Sequence, residues 1–99
     1  MSDFSMINPT ISEWAQQHSL VWLTDYQGSQ VRTFFLNEQS REKIQIWVNA
    51  PHEEATVVHV VQYKIGGKKK HSEEIACALS DLPNALDRAL ALANEWLKS

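Results

Sequence analysis

The chain contains 99 residues, of which 43% are hydrophobic and 21% are charged, and its formal net charge is −3. This composition predicts one folded domain over residues 1–99, with about residues 1–7 as a flexible N-terminus, and it excludes a disordered polar chain. No apolar run approaches the ~20 residues that span a bilayer, and the first residues lack a secretory signal pattern. We therefore expect a cytoplasmic protein that does not enter a membrane. The single cysteine, Cys77, excludes an internal disulfide.

A short helix is predicted near the N-terminus. Asn8 and Thr10 are both candidate N-caps, Pro9 suits a first helical turn, and Thr10 with Glu13 matches a capping box. The apolar stripe of this helix recurs at helical spacing and consists of Ile11, Trp14, Ala15 and His18. The helix is therefore expected to pack through one side.

From Leu20 onward the hydrophobic period changes to two, which is typical of an antiparallel meander. The predicted strands are 20–26, 31–37, 43–49, 56–65 and 72–79. The turns between them are expected at 27–29, 38–42, 50–54 and Gly66-Gly67.

The last segment is the clearest helix. Ser80 or Asp81 can cap it, and Pro83 suits its first turn. Its apolar stripe consists of Leu82, Leu86, Ala89, Leu90, Ala93 and Leu97. Burying four leucines contributes roughly 6 to 12 kcal/mol before entropy, so we expect this helix to cover one sheet face.

The fourth strand predicts which residues share a face. Val58 and Val60 are expected to face the long helix together with Ile75, Cys77 and Leu79. The opposite side, with Val57, His59, Val61 and Tyr63, is left for the short helix or for a partner.

Two strand registers are compatible with these faces. A two-residue loop at Gly66-Gly67 places Val58 opposite Ile75 and His59 opposite Glu74, whereas a four-residue loop places Val58 opposite Cys77. The shorter loop also sets Lys64 against Lys69, and because like charges repel, the longer loop is preferred.

The sequence Lys64 to His71 gathers four lysines and a histidine beside a diglycine in an acidic chain. This basic tip is either a solvated hairpin end or a contact surface for phosphates or acidic protein. The aromatic residues Trp22, Tyr26, Phe35 and Trp47 either belong to the core or form a platform beside the tip. The candidate partner contacts are Lys64, Lys68, Lys69, Lys70, Tyr63 and Trp47.

Catalytic and metal chemistry have little support in the pattern. Cys77 falls between two alanines on the expected core side, where a thiol is structural. In the shorter-loop register, His59 and Glu74 would form either a structural cross-strand pair or a proton-relay dyad. The four histidines show no metal-ligand spacing, so no cofactor or metal is predicted.

The sequence thus predicts an α+β domain of order αβββββα, with an antiparallel meander of four to five strands, a short N-terminal helix and a long C-terminal helix on the sheet. We expect a non-enzymatic binding or adaptor module that contacts a protein partner, or a second copy of itself, through the sheet. The alternative is nucleic-acid or polyanion binding through the basic tip and its neighbouring aromatics.

Overall fold

The computed structural model describes residues 4–26, 28–36, 43–63 and 68–98. Helix α1 spans Asn8–Gln17 and helix α2 spans Leu82–Lys98, and each follows a short 3-10 turn, over Phe4–Met6 and Leu79–Asp81. The strands are β1 (Trp22–Tyr26), β2 (Ser29–Leu36), β3 (Lys43–Val48), β4 (Ala55–Tyr63) and β5 (Lys69–Ala78). The predicted α+β class and the αβββββα order are confirmed.

The five strands form one antiparallel sheet in the order β1-β2-β3-β4-β5, so each strand pairs with its neighbours in the sequence. The turn between β1 and β2 includes Gly28, whose positive φ of 80° suits glycine. The turn between β3 and β4 closes at His52 and Ala55, which exchange two backbone hydrogen bonds. The predicted turns at 38–42 and Gly66-Gly67 lie outside the described residues.

Helix α1 begins without the predicted capping box. Ile7 is the N-cap, and no side chain caps the helix. The side-chain oxygen of Asn8 instead accepts a hydrogen bond of 2.6 Å from Nε of Arg32. A side-chain oxygen that the sheet uses in this way is not available to the first helical turn. Thr10 lies inside the helix.

Arg32 ties the N-terminal segment to the sheet. Its side chain is 8% exposed, and its Nη1 donates to the carbonyl oxygens of Val31 and Thr24 at 2.6 and 3.3 Å. The guanidinium also lies 4.3 Å from the ring centre of Phe4, which is a cation–π contact. Phe4 belongs to the 3-10 turn within the N-terminus expected to be flexible, and the side chain of Ile7 is buried.

Both helices pack on the same face of the sheet. The core joins α1 and α2 to inward-facing residues of the central strands; these core residues are Ile7, Ile11, Trp14, Ala15, Phe34, Ile44, Ile46, Val48, Val58, Val60, Leu82, Ala85, Leu86, Ala89 and Ala93. Trp14 is central to this arrangement, because its ring lies 5.4 Å from that of Phe34 and its Nε1 donates to Asp87 at 2.8 Å. The long helix therefore covers the predicted face, and the short helix lies beside it.

The preferred register between β4 and β5 is wrong. Val58 lies opposite Ile75 and His59 lies opposite Glu74, as the shorter loop requires. The expected repulsion between Lys64 and Lys69 does not decide the register, because the pairing shifts between Gln62 and Tyr63 and places Lys69 opposite Tyr63. This β-bulge adds one residue to β5, so Lys69 faces a tyrosine and not a lysine.

Candidate binding surface

The side of the sheet that faces away from both helices carries the candidate surface, which we call the helix-free face. Strand alternation places Phe34 and Val58 in the core and turns their chain neighbours to the opposite side. The helix-free face comprises Val31, Thr33, Phe35, Lys43, Gln45, Trp47, Val57, His59, Val61, Tyr63, Lys69, Ser72, Glu74 and Ala76. No described helix lies over it.

A row of three side chains crosses the middle of this face. Trp47 lies opposite His59, and His59 lies opposite Glu74. The rings of Trp47 and His59 are stacked, with centroids 4.6 Å apart and planes 7° apart. Nδ1 of His59 lies 3.5 Å from Oε1 of Glu74. The stack and the carboxylate together hold the imidazole in one orientation.

Among the described residues, this row places no serine or cysteine opposite His59. Ser72 lies in the adjacent row, opposite Val61, and in the described part of the structure its hydroxyl makes no hydrogen bond to His59. A serine nucleophile would need that contact with its base. The arrangement of Trp47, His59 and Glu74 is instead suited to presenting a rigid aromatic surface.

A second row lies at the end of the face next to the basic tip. Lys43, Tyr63 and Lys69 are successive cross-strand partners, so a tyrosine is flanked by two lysines. The Tyr63 hydroxyl donates a 3.4 Å hydrogen bond to Oε1 of Gln45, whose Nε2 donates to Oγ1 of Thr33 at 3.1 Å. These bonds connect the tyrosine to the interior of the sheet and limit its motion.

The β-bulge determines which predicted contact residues meet. Tyr63, Lys69 and Trp47 all lie on the helix-free face. Lys68 is exposed just before β5, and Lys70 is half-buried at the bulge. Lys64 lies outside the described residues. The structure therefore brings three of the six predicted residues onto one face.

The alternative in which the four aromatic residues form one platform is not what the structure shows. Trp22 lies opposite Phe34, on the side that the helices cover, and packs against the core. Phe35 and Trp47 face the other way, and the side chain of Tyr26 lies outside the described ones. The sequence could not show which of these aromatic residues share a face. The alternation of β1 can be compared with that of β2 only once the register between the two strands is known.

Lys43 is a further member of the surface that the sequence pattern did not single out. Its Nζ lies 5.9 Å from the ring centre of Phe35. The sequence did contain a signal for Lys43. It lies at the start of a strand whose odd-numbered residues include Trp47, and residues two apart on a strand share a face.

Two depressions lie along β4, and one of them borders the Trp47–His59 stack. One has a volume of about 570 Å³ and is lined by Trp47, His59, Val61, Lys69, Ser72, Glu73 and Glu74. The other has a volume of about 490 Å³, lies at the opposite end of β4, and is lined by Asn49, Ala50, His52, Ala55, Thr56, Val57, Ala76 and Cys77. The first is bordered by charged side chains and the second mainly by small and apolar ones.

Cys77 lies on the side of β5 that faces the helices and is half-buried. Burial raises the pKa of its thiol above the ordinary value, and the negative charge of Asp81 raises it further. A nucleophilic cysteine needs a lowered pKa. The environment of Cys77 therefore favours the protonated thiol.

Within the described residues, no group of three or more histidine, cysteine or acidic side chains could hold a metal ion. No helix in the described part of the chain is long and apolar enough to cross a membrane. No family model matches the chain, and neither a curated protein nor a solved structure matches it.

Proposed function

We propose that this protein is a non-enzymatic binding module that holds a protein partner against its helix-free face. The observation that carries the proposal is that α1 and α2 both pack on the opposite side of the sheet, so neither covers Trp47, Tyr63 or Val57. Tryptophan and tyrosine at the centre of a contact surface contribute disproportionately to binding between proteins. Here both are already held in place by neighbouring side chains.

The charges on this face favour a protein segment as the occupant. Lys43 and Lys69 lie at one end, but Glu74 lies in the central row, so the face is not uniformly basic. At the other end, the depression beside Val57 is lined mainly by small and apolar side chains, and it also reaches Cys77 on the helix-covered side. A matching partner presents an apolar side chain to that depression and carboxylates to the two lysines. The proposal includes a reducing, cytoplasmic compartment, which suits a chain whose single cysteine is unpaired.

The test compares two valine-to-glutamate variants as baits in cells of the source organism. Val57 lies on the helix-free face, whereas Val21 is 81% exposed in the segment before β1. A partner retained by the wild type and by Val21→Glu should be lost with Val57→Glu, because the new carboxylate would be buried against apolar groups.

The retained partner is then purified and its affinity measured by calorimetry. We expect Val57→Glu to weaken binding by about tenfold or more, while Val21→Glu leaves it unchanged. Equal affinity of all three proteins would show that the helix-free face is not the binding surface. Circular dichroism and thermal melting confirm that both variants are folded.

Polyanion binding is a second candidate, favoured by one observation. The β-bulge turns Lys69 to the face that carries Tyr63, in a row that also includes Lys43. Single-stranded nucleic acid is held by such combinations of aromatic faces and cations. The contacts would be Lys64, Lys68, Lys69 and Lys70, with Tyr63 or Trp47 stacking. The net charge of −3 and the adjacent Glu73 and Glu74 weigh against an unselective binder.

An amide-shift titration with short single-stranded DNA and RNA, at low and moderate salt, tests this second candidate. If it holds, shifts should concentrate at Tyr63, Trp47 and 68–70, and they should weaken steeply with salt. Changing Lys68, Lys69 and Lys70 to glutamine should abolish them. Shifts that are absent, or that do not depend on salt, would exclude it.

A further inference from the structure

The outer edge of β5 is a long and unpaired strand edge. β5 contains ten residues and pairs with β4 on one side, and no described strand lies on its other side. None of its side chains is buried. The sheet's other edge, β1, has only five residues and an irregular register. An exposed edge of this length can pair with another strand through its free backbone groups.

The charges along β5 change sign in the middle of the strand. Lys69, Lys70 and His71 are followed by Ser72, and Ser72 is followed by Glu73 and Glu74. An antiparallel neighbour runs in the reverse direction, so a second copy of this strand would present its acidic half to the first copy's basic half. The charges on β5 that would repel most other strands are therefore complementary to those of a second copy of β5.

Two-fold symmetry limits the possible registers. A two-fold axis perpendicular to the sheet keeps each residue on its own face, so paired residues must share a face. Centred at Ser72, this arrangement sets His71 against Glu73 of the other copy, both on the helix-covered side. The β-bulge turns Lys69 to the helix-free side, where Glu74 also lies, so these two residues meet as well.

Three of the other centres fit less well. An axis at Glu73 or Glu74 would place identical carboxylates opposite each other, which is unfavourable. An axis at Ala76 would pair only residues 74–78, because β5 ends at Ala78. With the axis at Ser72, His71 is one of the residues at the dimer contact. Its ring is stacked on that of Trp96 in α2, with centroids 5.2 Å apart.

We propose that the protein forms a two-fold dimer in which β5 pairs antiparallel with β5 of a second copy, with the axis at Ser72. The two five-stranded sheets then join into one continuous sheet. This dimer does not depend on the proposed function, because the helix-free face stays open in it. It presents two such faces side by side, which would strengthen the binding of a partner with repeated sites.

Cysteine crosslinking tests the register. In a Cys77→Ser background, Ser72→Cys should form an intermolecular disulfide under mild oxidation, because directly opposed Cα atoms lie about 4.5 to 5.5 Å apart. Ala76→Cys is the control, since the two copies of this residue would be roughly 26 Å apart along the strands. Crosslinking at Ala76→Cys instead of Ser72→Cys would overturn the proposed register.

Charge reversal tests the pairing itself by sedimentation equilibrium. Lys69→Glu and Glu74→Lys should each weaken the dimer by about tenfold, because each places like charges opposite each other at two symmetry-related points. The double variant should recover the wild-type affinity, and a mixture of the two single variants should form heterodimers. Of these two residues, only Glu74 contacts His59 within one copy. Equal weakening by Lys69→Glu and Glu74→Lys would therefore show that the loss comes from the dimer contacts and not from the contact with His59.

Two results would overturn the dimer. One is a wild-type protein that sediments as a monomer up to about 1 mM. The other is a dimer that none of the charge reversals weakens. Both charged positions are exposed, so the variants should fold, and circular dichroism verifies this.

Discussion

At the residue scale, Cys77 shows how its surroundings determine the chemistry of a side chain. The thiol is half-buried on the helix-covered side of β5, and its pKa is raised first by burial and then by Asp81. A raised pKa means that the folded protein holds the thiol proton more tightly than the unfolded chain does. The group therefore contributes its full stability below the unfolded thiol pKa, and that contribution is lost as the pH rises through the folded pKa.

We predict that the native thiol reacts with a thiol-specific reagent more slowly than the thiol of the urea-unfolded chain at pH 8. Asp81→Asn should increase the native rate by roughly twofold, because it removes a screened negative charge. Glu95→Gln, on the exposed side of α2, is the matched control and should not change the rate. A native thiol that reacts as fast as the unfolded one would contradict the assigned environment and reopen a nucleophilic role.

At the element scale, the two-residue turn between β3 and β4 contains residue types that are unusual in so short a turn. Glu53 and Glu54 lie between the bridged residues His52 and Ala55, and both have positive φ values, of 52° and 66°. Two-residue hairpin turns with this backbone normally use asparagine and glycine, because other side chains crowd the backbone there. The strand pairing on either side of the turn holds both glutamates in this conformation.

We predict that Glu54→Gly raises the free energy of unfolding by about 1 kcal/mol, because glycine adopts positive φ without steric cost. Glu13→Gly, the same substitution at an exposed position within α1, should lower it by about 1 kcal/mol. Urea unfolding monitored by tryptophan fluorescence measures both. Destabilisation by Glu54→Gly would contradict the positive φ at this turn.

At the scale of the whole molecule, the protein is a two-layer structure with its helices on one side. The Cα radius of gyration of 13.1 Å is that of a compact domain of about this length. Val58 is fully buried beneath the helices, whereas its neighbour Val57 is only partly buried on the helix-free face. The same substitution at each of these adjacent residues therefore compares the two sides of the sheet directly.

Threonine has nearly the shape of valine and a similar strand preference but adds a hydroxyl, so it tests whether a site is dry. We expect Val58→Thr to lower the free energy of unfolding by about 1 to 3 kcal/mol. Val57→Thr should change it by less than about 0.5 kcal/mol, because its hydroxyl can reach water. Equal costs in denaturant titrations would mean that the helix-free face is covered in the isolated protein.

Much of the fold was predictable from local patterns. Alternation identified Val58 and Val60 as core residues and put Val57 and His59 on the other side, because successive strand residues must point to opposite faces. The helical spacing from Leu82 to Leu97 likewise predicted the helix that covers the sheet. The candidate surface was predictable only in part: the sequence singled out Trp47, Tyr63 and Lys69 but could not show that they share a face.

By itself, the sequence determined the α+β class, the order of the elements and the two sides of each strand, because these follow from residue periodicity along the chain. The tertiary structure alone decided that α1 lies beside α2, that Trp14 donates to Asp87, and that a β-bulge turns Lys69 toward Tyr63. These features depend on which distant segments pack together. Their energies come from contacts between elements, and no local period encodes those contacts.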